Sequence, residues 1–309
     1  MDYGVNVKKS PKKFKFAVFQ VAIQILLLIV GISLSTFSHY QHQQSIQNQI
    51  EEVLDKKLQI ITTSINERLE LYHYGLNAVR GAIHGIGINQ LNYQNIANYA
   101  NSHNYQLALP GANGIGFIRK VKKSELTQFI TAARIDRVDN QFSIKTLTPH
   151  NSDSFVIQYI FPEANNYKAI GLDIGSEKMR RTAATFAAKN NNIQLTGPIT
   201  LVEANKKILQ GFLILLPVYK TISVPEDKVE RLQQLVGWAY SPLLIDKVLG
   251  SLSQFDVNYL TITDVSETAV IPFFNYGEKS DITKHAISQS INVMGRNWNV
   301  SLKATNSFI

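Results

Sequence analysis

From Phe16 to Phe37 the chain reads FAVFQVAIQILLLIVGISLSTF, 22 residues without a charge. Roughly 20 apolar residues are needed to cross the hydrocarbon core of a bilayer as a helix. Gln20 and Gln24 are the only strongly polar interruptions. A soluble helix keeps a polar face, and this run has none. Cleaved signal sequences have shorter apolar cores, of about 7–15 residues, and a small-residue cleavage site. Ser33-Leu34-Ser35 approximates such a site only weakly, so an uncleaved anchor is expected. Lys8, Lys9, Lys12, Lys13 and Lys15 precede it. Basic residues are retained on the cytoplasmic side, which makes residues 1–15 a cytoplasmic N-terminus and places the chain beyond the span 16–37 outside.

The net charge of +8 raises the question of nucleic acid. Five of the lysines belong to the anchor flank, and no basic stripe interleaved with stacking aromatics occurs later, so no nucleic-acid partner is expected. The absence of cysteine excludes disulfides, thiolate metal sites and cysteine nucleophiles, and is compatible with a periplasm.

Between residues 38 and 86 no proline occurs, and no glycine before Gly75. Ile46, Ile50, Leu54, Leu58, Ile61, Ile65, Leu69, Tyr72, Leu76, Val79 and Ile83 recur at steps of three and four. That is the period of one helix face. Glu51, Glu52, Asp55, Lys56, Glu67, Arg68 and Glu70 occupy the other. Over 40 residues at 1.5 Å give a helix of about 60 Å, the length of a stalk that pairs with a second copy of itself. Its second half is alternatively a helix packed on its own domain.

Beyond the glycines at 81–87 the pattern predicts a short helix at 93–103 and a turn at Pro110–Gly114. A strand at Gly114–Arg119 and a helix at Lys122–Arg134 come next. Strands are expected at Phe142–Leu147 and Phe155–Phe161, and a helix at Glu177–Asn190 capped by Ser176. Strands Gln194–Glu203 and Gln210–Tyr219 would form a hairpin over Asn205–Lys207. A second unit opens near Pro225. It has helices at Glu226–Leu235 and Ser241–Ser251 around a strand at Val236–Tyr240, then strands at Tyr259–Asp264, Val270–Phe274, Lys284–Val293 and Trp298–Ala304. Helix-rich then sheet-rich stretches, twice over, make the fold class α+β with antiparallel sheets. The expected domains are 87–222 and 223–306. A second membrane helix and an output module are expected after Ile309.

GLDIGSEKMRRTAATFAAKNNNIQLTGPITL (Gly171–Leu201) followed by GFLILLPVYK (Gly211–Lys220) resembles the CHASE domain, the extracellular sensory domain of receptor histidine kinases and cyclases. The elements that match are an aromatic-rich strand, a Gly-Leu-Asp turn, Ser-Glu opening a helix with paired arginines, Leu-Thr-Gly-Pro, and Pro-Val-Tyr. The likeness covers about 75–245. It implies two PAS-like units on a long helix, one distal to the membrane and one proximal, with small-molecule binding in the distal one. In the plant receptors of this family that ligand is cytokinin, and the aspartate matching Asp173 contacts its adenine ring. An adenine-like or other small metabolite is therefore the expected ligand, although no full cytokinin pocket can be matched residue by residue. The protein this implies sits in the inner membrane with its sensory part in the periplasm, as a homodimer.

Asp173 is the lead ligand-binding candidate, with Gly171 beside it, Tyr159, Phe161, Leu195, Phe212 and Leu213 as apolar walls and Thr196 as a hydroxyl donor. Each has a plainer alternative: Asp173 satisfying backbone donors at its turn, the apolar residues forming core, and Thr196 chosen for strand propensity. Arg180 and Arg181 lie on the next helix and offer a partner for Asp173, for an anionic ligand, or for Glu177. The seven histidines are scattered; His39 and His42 lack further ligands nearby, so no metal site is expected. Gly111–Gly116 precedes a strand where a phosphate loop would open a helix. No cofactor and no catalytic motif is expected. The non-sensory alternative is a membrane-anchored module that docks a periplasmic protein without a small ligand.

Overall fold

The computed structural model describes residues 11–102, 104–137, 139–202, 208–255, 259–268, 270–277 and 282–305. Lys8 and Lys9 and the expected turn at Asn205–Lys207 lie outside the described residues. Helix α1 runs from Pro11 to Ile86, and the chain divides into compact units at Val53/Leu54. In the first unit the apolar side chains of α1 face outward: Leu26, Leu27 and Leu28 are exposed. This is a helix long and apolar enough to cross a membrane, with none of its apolar window buried.

In the second unit the predicted stripe of α1 is buried. Leu54, Leu58, Ile61, Ile65, Leu69, Tyr72, Leu76, Val79 and Ile83 are each no more than 3% accessible. The Tyr72 hydroxyl donates to the Pro110 carbonyl, and Leu109 fits against Gly75, where a methyl group would lie 2.8 Å from its side chain. Helices α2 (Tyr93–Asn101) and α3 (Tyr105–Ala108) come next, the first capped by the Asn92 side chain accepting the Asn95 N–H.

Among the described residues one sheet has eight strands and another has four. The larger contains β1 (Ile115–Val121), β2 (Lys145–Thr146), β3 (Ser154–Phe161), β4 (Leu172–Asp173), β5 (Gln194–Leu195), β6 (Ile199–Val202), β7 (Ile208–Tyr219) and β8 (Leu235–Leu244). Their order is β2-β4-β3-β1-β8-β7-β5, with β6 also on β7. All pairs are antiparallel except β2 with β4. Helices α4 (Leu126–Asp136) and α5 (Glu163–Asn166) lie on either side of β2 and β3 in sequence, and α6 (Lys178–Asn190) comes after β4. The last packs Ala183, Ala184, Ala187 and Ala188 into the core beside Trp238, whose Nε1–H donates to the Ala184 carbonyl at 2.9 Å. Small residues at steps of three and four let this helix approach the sheet closely.

The structure revises several expected elements. Ser176 does not cap α6; Glu177 does, accepting the Met179 and Arg180 N–H groups. Ser176 instead donates to the Asp173 carbonyl. The strand expected at Gln194–Glu203 is broken by Thr196-Gly197-Pro198 into β5 and β6, since proline cannot donate to a ladder. The helix expected at Ser241–Ser251 begins only at α8 (Ile245–Leu249), because β8 runs through Pro242. All ten β8 residues are buried, between β1 and β7. The expected boundary at 222/223 therefore falls between two neighbouring strands of one sheet, with α7 (Lys228–Gln234) in the connection.

The smaller sheet orders β9 (Tyr259–Asp264), β10 (Ile271–Tyr276), β11 (Ile282–Val293) and β12 (Arg296–Thr305) as β10-β9-β12-β11, all antiparallel. Met294 and Gly295 form the β11–β12 turn with φ of 45° and 80°, the two-residue geometry that matches strand twist. This turn abuts the larger sheet: the Met294 carbonyl accepts the Leu195 N–H at 3.0 Å. A methyl group on Gly295 would lie 2.1 Å from the Gln194 side chain. Phe212 stacks on Trp298, and Phe273 contacts both rings.

Truncating the buried stripe of α1 removes methylenes with nothing to refill the space. Leu76→Ala is expected to destabilise the domain by about 2–5 kcal/mol in urea unfolding of the detergent-solubilised chain. Leu71→Ala, on the exposed face of the same helix, should cost less than about 0.5 kcal/mol.

Candidate functional site

Asp173 has no accessible surface. Its Oδ1 accepts the Phe155 and Gly175 N–H groups at 2.8 and 2.9 Å, and its Oδ2 pairs with His150 Nε2 at 2.8 Å. The other His150 ring nitrogen faces Arg181, 3.4 Å away. Arg181 donates to the carbonyls of Gly175 and Asp153, and its guanidinium lies over the Phe155 ring at 4.5 Å. The paired-arginine motif thus splits. Arg181 serves the Asp173 corner, whereas Arg180 lies 3.8 Å from Glu177 and donates to the Thr200 carbonyl. Gly171 is part of the same corner, with a φ of 78° and the Ser143 carbonyl 2.0 Å from where a Cβ would stand. A side chain there would force the edge of the sheet apart.

The remaining candidates do not converge on one pocket. The Thr196 hydroxyl accepts the Leu213 N–H at 2.9 Å and is fully buried. Leu195 and Leu213 are core residues, and Phe212 belongs to the aromatic contact with the smaller sheet. Phe161 packs against Tyr93 with ring centroids 5.3 Å apart. Of the eight candidates, Tyr159 alone lines either of two large cavities beside β1.

Those cavities, of about 740 and 610 Å³, meet at Arg119, Lys120 and Glu125 and at the Ile88–Asn89 loop. One is closed by the last turn of α1 (His84, Ile86), by Lys220 and by the start of β8; the other by α4 and Tyr159. A hydrogen-bonded chain runs along the floor. Arg119 Nε donates to Gln158 Oε1 at 3.0 Å, and Gln158 Nε2 donates to the Tyr159 hydroxyl at 2.8 Å. That hydroxyl donates to Asp136 Oδ2 at 2.6 Å, and Asp136 also accepts the Tyr93 N–H. A β-bulge aims these groups. Phe117 pairs with Tyr159 and Ile118 with Ile157, which leaves Gln158 as the extra residue. The Arg119 guanidinium lies 5.0 Å from the Phe117 ring.

Burial sets the electrostatics of this floor. It pushes the Tyr159 hydroxyl well above the ordinary tyrosine range, with Asp136 adding to the effect. It also pulls Arg119 below the ordinary arginine value, against the opposing pull of Tyr159 and Asp136. His84 is held below its ordinary value by burial and then by the Arg80 charge four residues earlier. Sequence reasoning passed over this site. Its signal was RKVKK, four basic residues within Arg119–Lys123 at the end of a predicted strand.

Known proteins place this architecture in a family. A family model described as the CHASE domain matches residues 89–273, more than half of the 309-residue chain. The chain belongs to the CHASE-domain family. No match to a curated protein was found. The CHASE domain is a sensory, extracellular domain of signalling receptors and not a catalytic one. The matched segment contains both the Asp173 corner and the strands that carry Arg119 and Tyr159.

Replacing Asp173 by alanine strands two backbone donors in a place water does not reach. Asp173→Ala is expected to destabilise the CHASE domain by about 2–4 kcal/mol in urea unfolding. Loss of binding with unchanged stability would instead mark a ligand contact. His84 yields a pH dependence. Its folded pKa lies below the ordinary 6.5, so the unfolded chain takes up the proton first as pH falls. Its contribution is fully present above 6.5 and lost below it. The thermal midpoint should fall more steeply between about pH 7 and 5 than in His84→Gln.

Proposed function

We propose that this chain is the extracytoplasmic, ligand-receiving part of a transmembrane signalling receptor. A small molecule enters the cavities around Arg119 and Tyr159, and its binding is relayed through α1 to a cytoplasmic kinase or cyclase module. The observation that carries this reading is the wall of the larger cavity. The last turn of α1 forms part of it, so a ligand would touch the same helix that contains the apolar membrane-length segment. A volume of about 740 Å³ falls within the range usual for small-ligand sites, roughly 300–1,000 Å³. A PAS-like sheet and pairing with a second copy belong to the same proposal. Ile60, Leu71 and Tyr74, exposed on α1 in steps compatible with one helix face, support pairing.

The absence of cysteine makes orientation directly measurable. Ser124→Cys is expected to react with a membrane-impermeant maleimide in intact spheroplasts, and Ser10→Cys only after lysis; the reverse pattern rules out a periplasmic sensor. A thermal-shift screen of the detergent-solubilised chain against a metabolite library tests the ligand. Stabilisation by at least one compound is expected, following mass action. A screen without any shift would favour the alternative in which the domain docks a protein.

A further inference from the structure

We infer that the ligand of the Arg119 cavity is an oxyanion, a small organic carboxylate or phosphate bound between Arg119 and Lys220. The inference rests on the proposed sensory function and names the chemistry of its ligand.

Around the larger cavity stand Arg119, Lys120, Lys122 and Lys220, with Glu125 as the one carboxylate among its lining residues. Four cations against one carboxylate leave a formal excess of three positive charges. Internal pairing accounts for only part of them. Glu125 is 3.2 Å from Lys122, and both are exposed at the rim. Lys120 donates to the Leu232 carbonyl at 2.8 Å and lies 3.8 Å from Asp153. Among the described residues no carboxylate lies within ion-pair distance of Arg119 or Lys220. In the adjoining cavity Asp136 is already engaged by the Tyr159 hydroxyl and the Tyr93 N–H.

Arg119 decides the argument. A guanidinium carries five N–H donors in a planar fork suited to carboxylate or phosphate. Here Nε is taken by Gln158, which fixes the plane and leaves the outer edge as the part able to grip an anion in bidentate fashion. The group is half-buried on a strand at the centre of the sheet, where desolvation weakens its charged form. A surface arginine would be hydrated and would need no partner. One held in this way gains from an incoming oxyanion, because Coulomb attraction strengthens as water is excluded. Lys220, exposed and lining the same cavity, supplies the second cation of the clamp, and salt would screen its contribution. Carboxylate and phosphate share this chemistry, and binding by each separates the two sources.

Titration calorimetry on the detergent-solubilised full chain would use succinate, citrate, inorganic phosphate and glycerol 3-phosphate as probes, with succinamide and glycerol as neutral counterparts. Binding by at least one anion and neither neutral compound is expected. Arg119→Gln and Lys220→Gln should each weaken it at least tenfold, whereas Lys189→Gln, which removes an equal charge outside the cavity, should leave it unchanged. Lys220 is exposed, so its variant remains informative if Arg119→Gln fails to fold. Raising the salt concentration from about 0.05 to 0.5 M should weaken binding severalfold. Equal affinity in all three variants, or no binding by any of the four anions, overturns the assignment. If the metabolite screen then yields only uncharged ligands, the sensory reading stands and the oxyanion does not.

Discussion

The burial of one face of α1 is the constraint on which the rest of the domain depends. From Leu54 to Ile83 every third or fourth residue is withdrawn from water, and no other element among the described residues presents so long an apolar seam. Helix propensity alone would leave such a segment marginal; packing of its apolar face holds it. The loop before β1 is tied to that seam through Tyr72 and Leu109. Strand β1, next in the chain, is flanked by β3 and β8 at the centre of the larger sheet. The end of the seam is also where the chain turns away at Gly87, so the last turn of α1 becomes the wall of a cavity whose floor is β1. The site is thus a consequence of where the helix stops.

Much of this was readable in the sequence because it rests on periodicity. The stripe from Leu54 to Ile83 emerges with the spacing read from the residues, and so do the uncharged run at Phe16–Phe37 and α6 ending at Asn190. Failures came where burial overrides local preference. Ser241-Pro242-Leu243-Leu244 has no local reason to be extended, and it is extended because β7 pairs along one side and Gly111–Asn113 bond along the other. Capping failed for a related reason. Both Ser176 and Glu177 are able to cap α6, and Asp173 recruits the serine, leaving the glutamate.

The site was less legible than the fold. Asp173 stands out in sequence as an acid between aliphatic neighbours, a pattern shared by ligand contacts and by internal latches. In the structure it has three internal partners and no accessible surface, and so ties β3 and β4 to His150 and to the turn at Gly175. The groups around the cavity carry no such mark. Arg119 joins Gln158 only because a bulge inserts the glutamine, and Lys220 reaches the same cavity from just past a strand about a hundred residues later. Charge clusters assembled by topology are invisible to any window along the chain.

A receptor needs the ligand to favour one arrangement over another, since equal affinity for both shifts nothing. Under the proposed function the last turn of α1, which walls the larger cavity, is where that difference would act. His84, which lines the larger cavity, is held below its ordinary pKa by burial and then by the Arg80 charge, so the unliganded domain favours its neutral imidazole. An anion bound beside that turn would favour the protonated imidazole, and only while the turn stays against the cavity. In the proposed receptor its binding energy would then act on the position of α1 as well as on capture. A typical coupling between sites amounts to about 1–3 kcal/mol, which sets the difference in affinity the proposed relay requires.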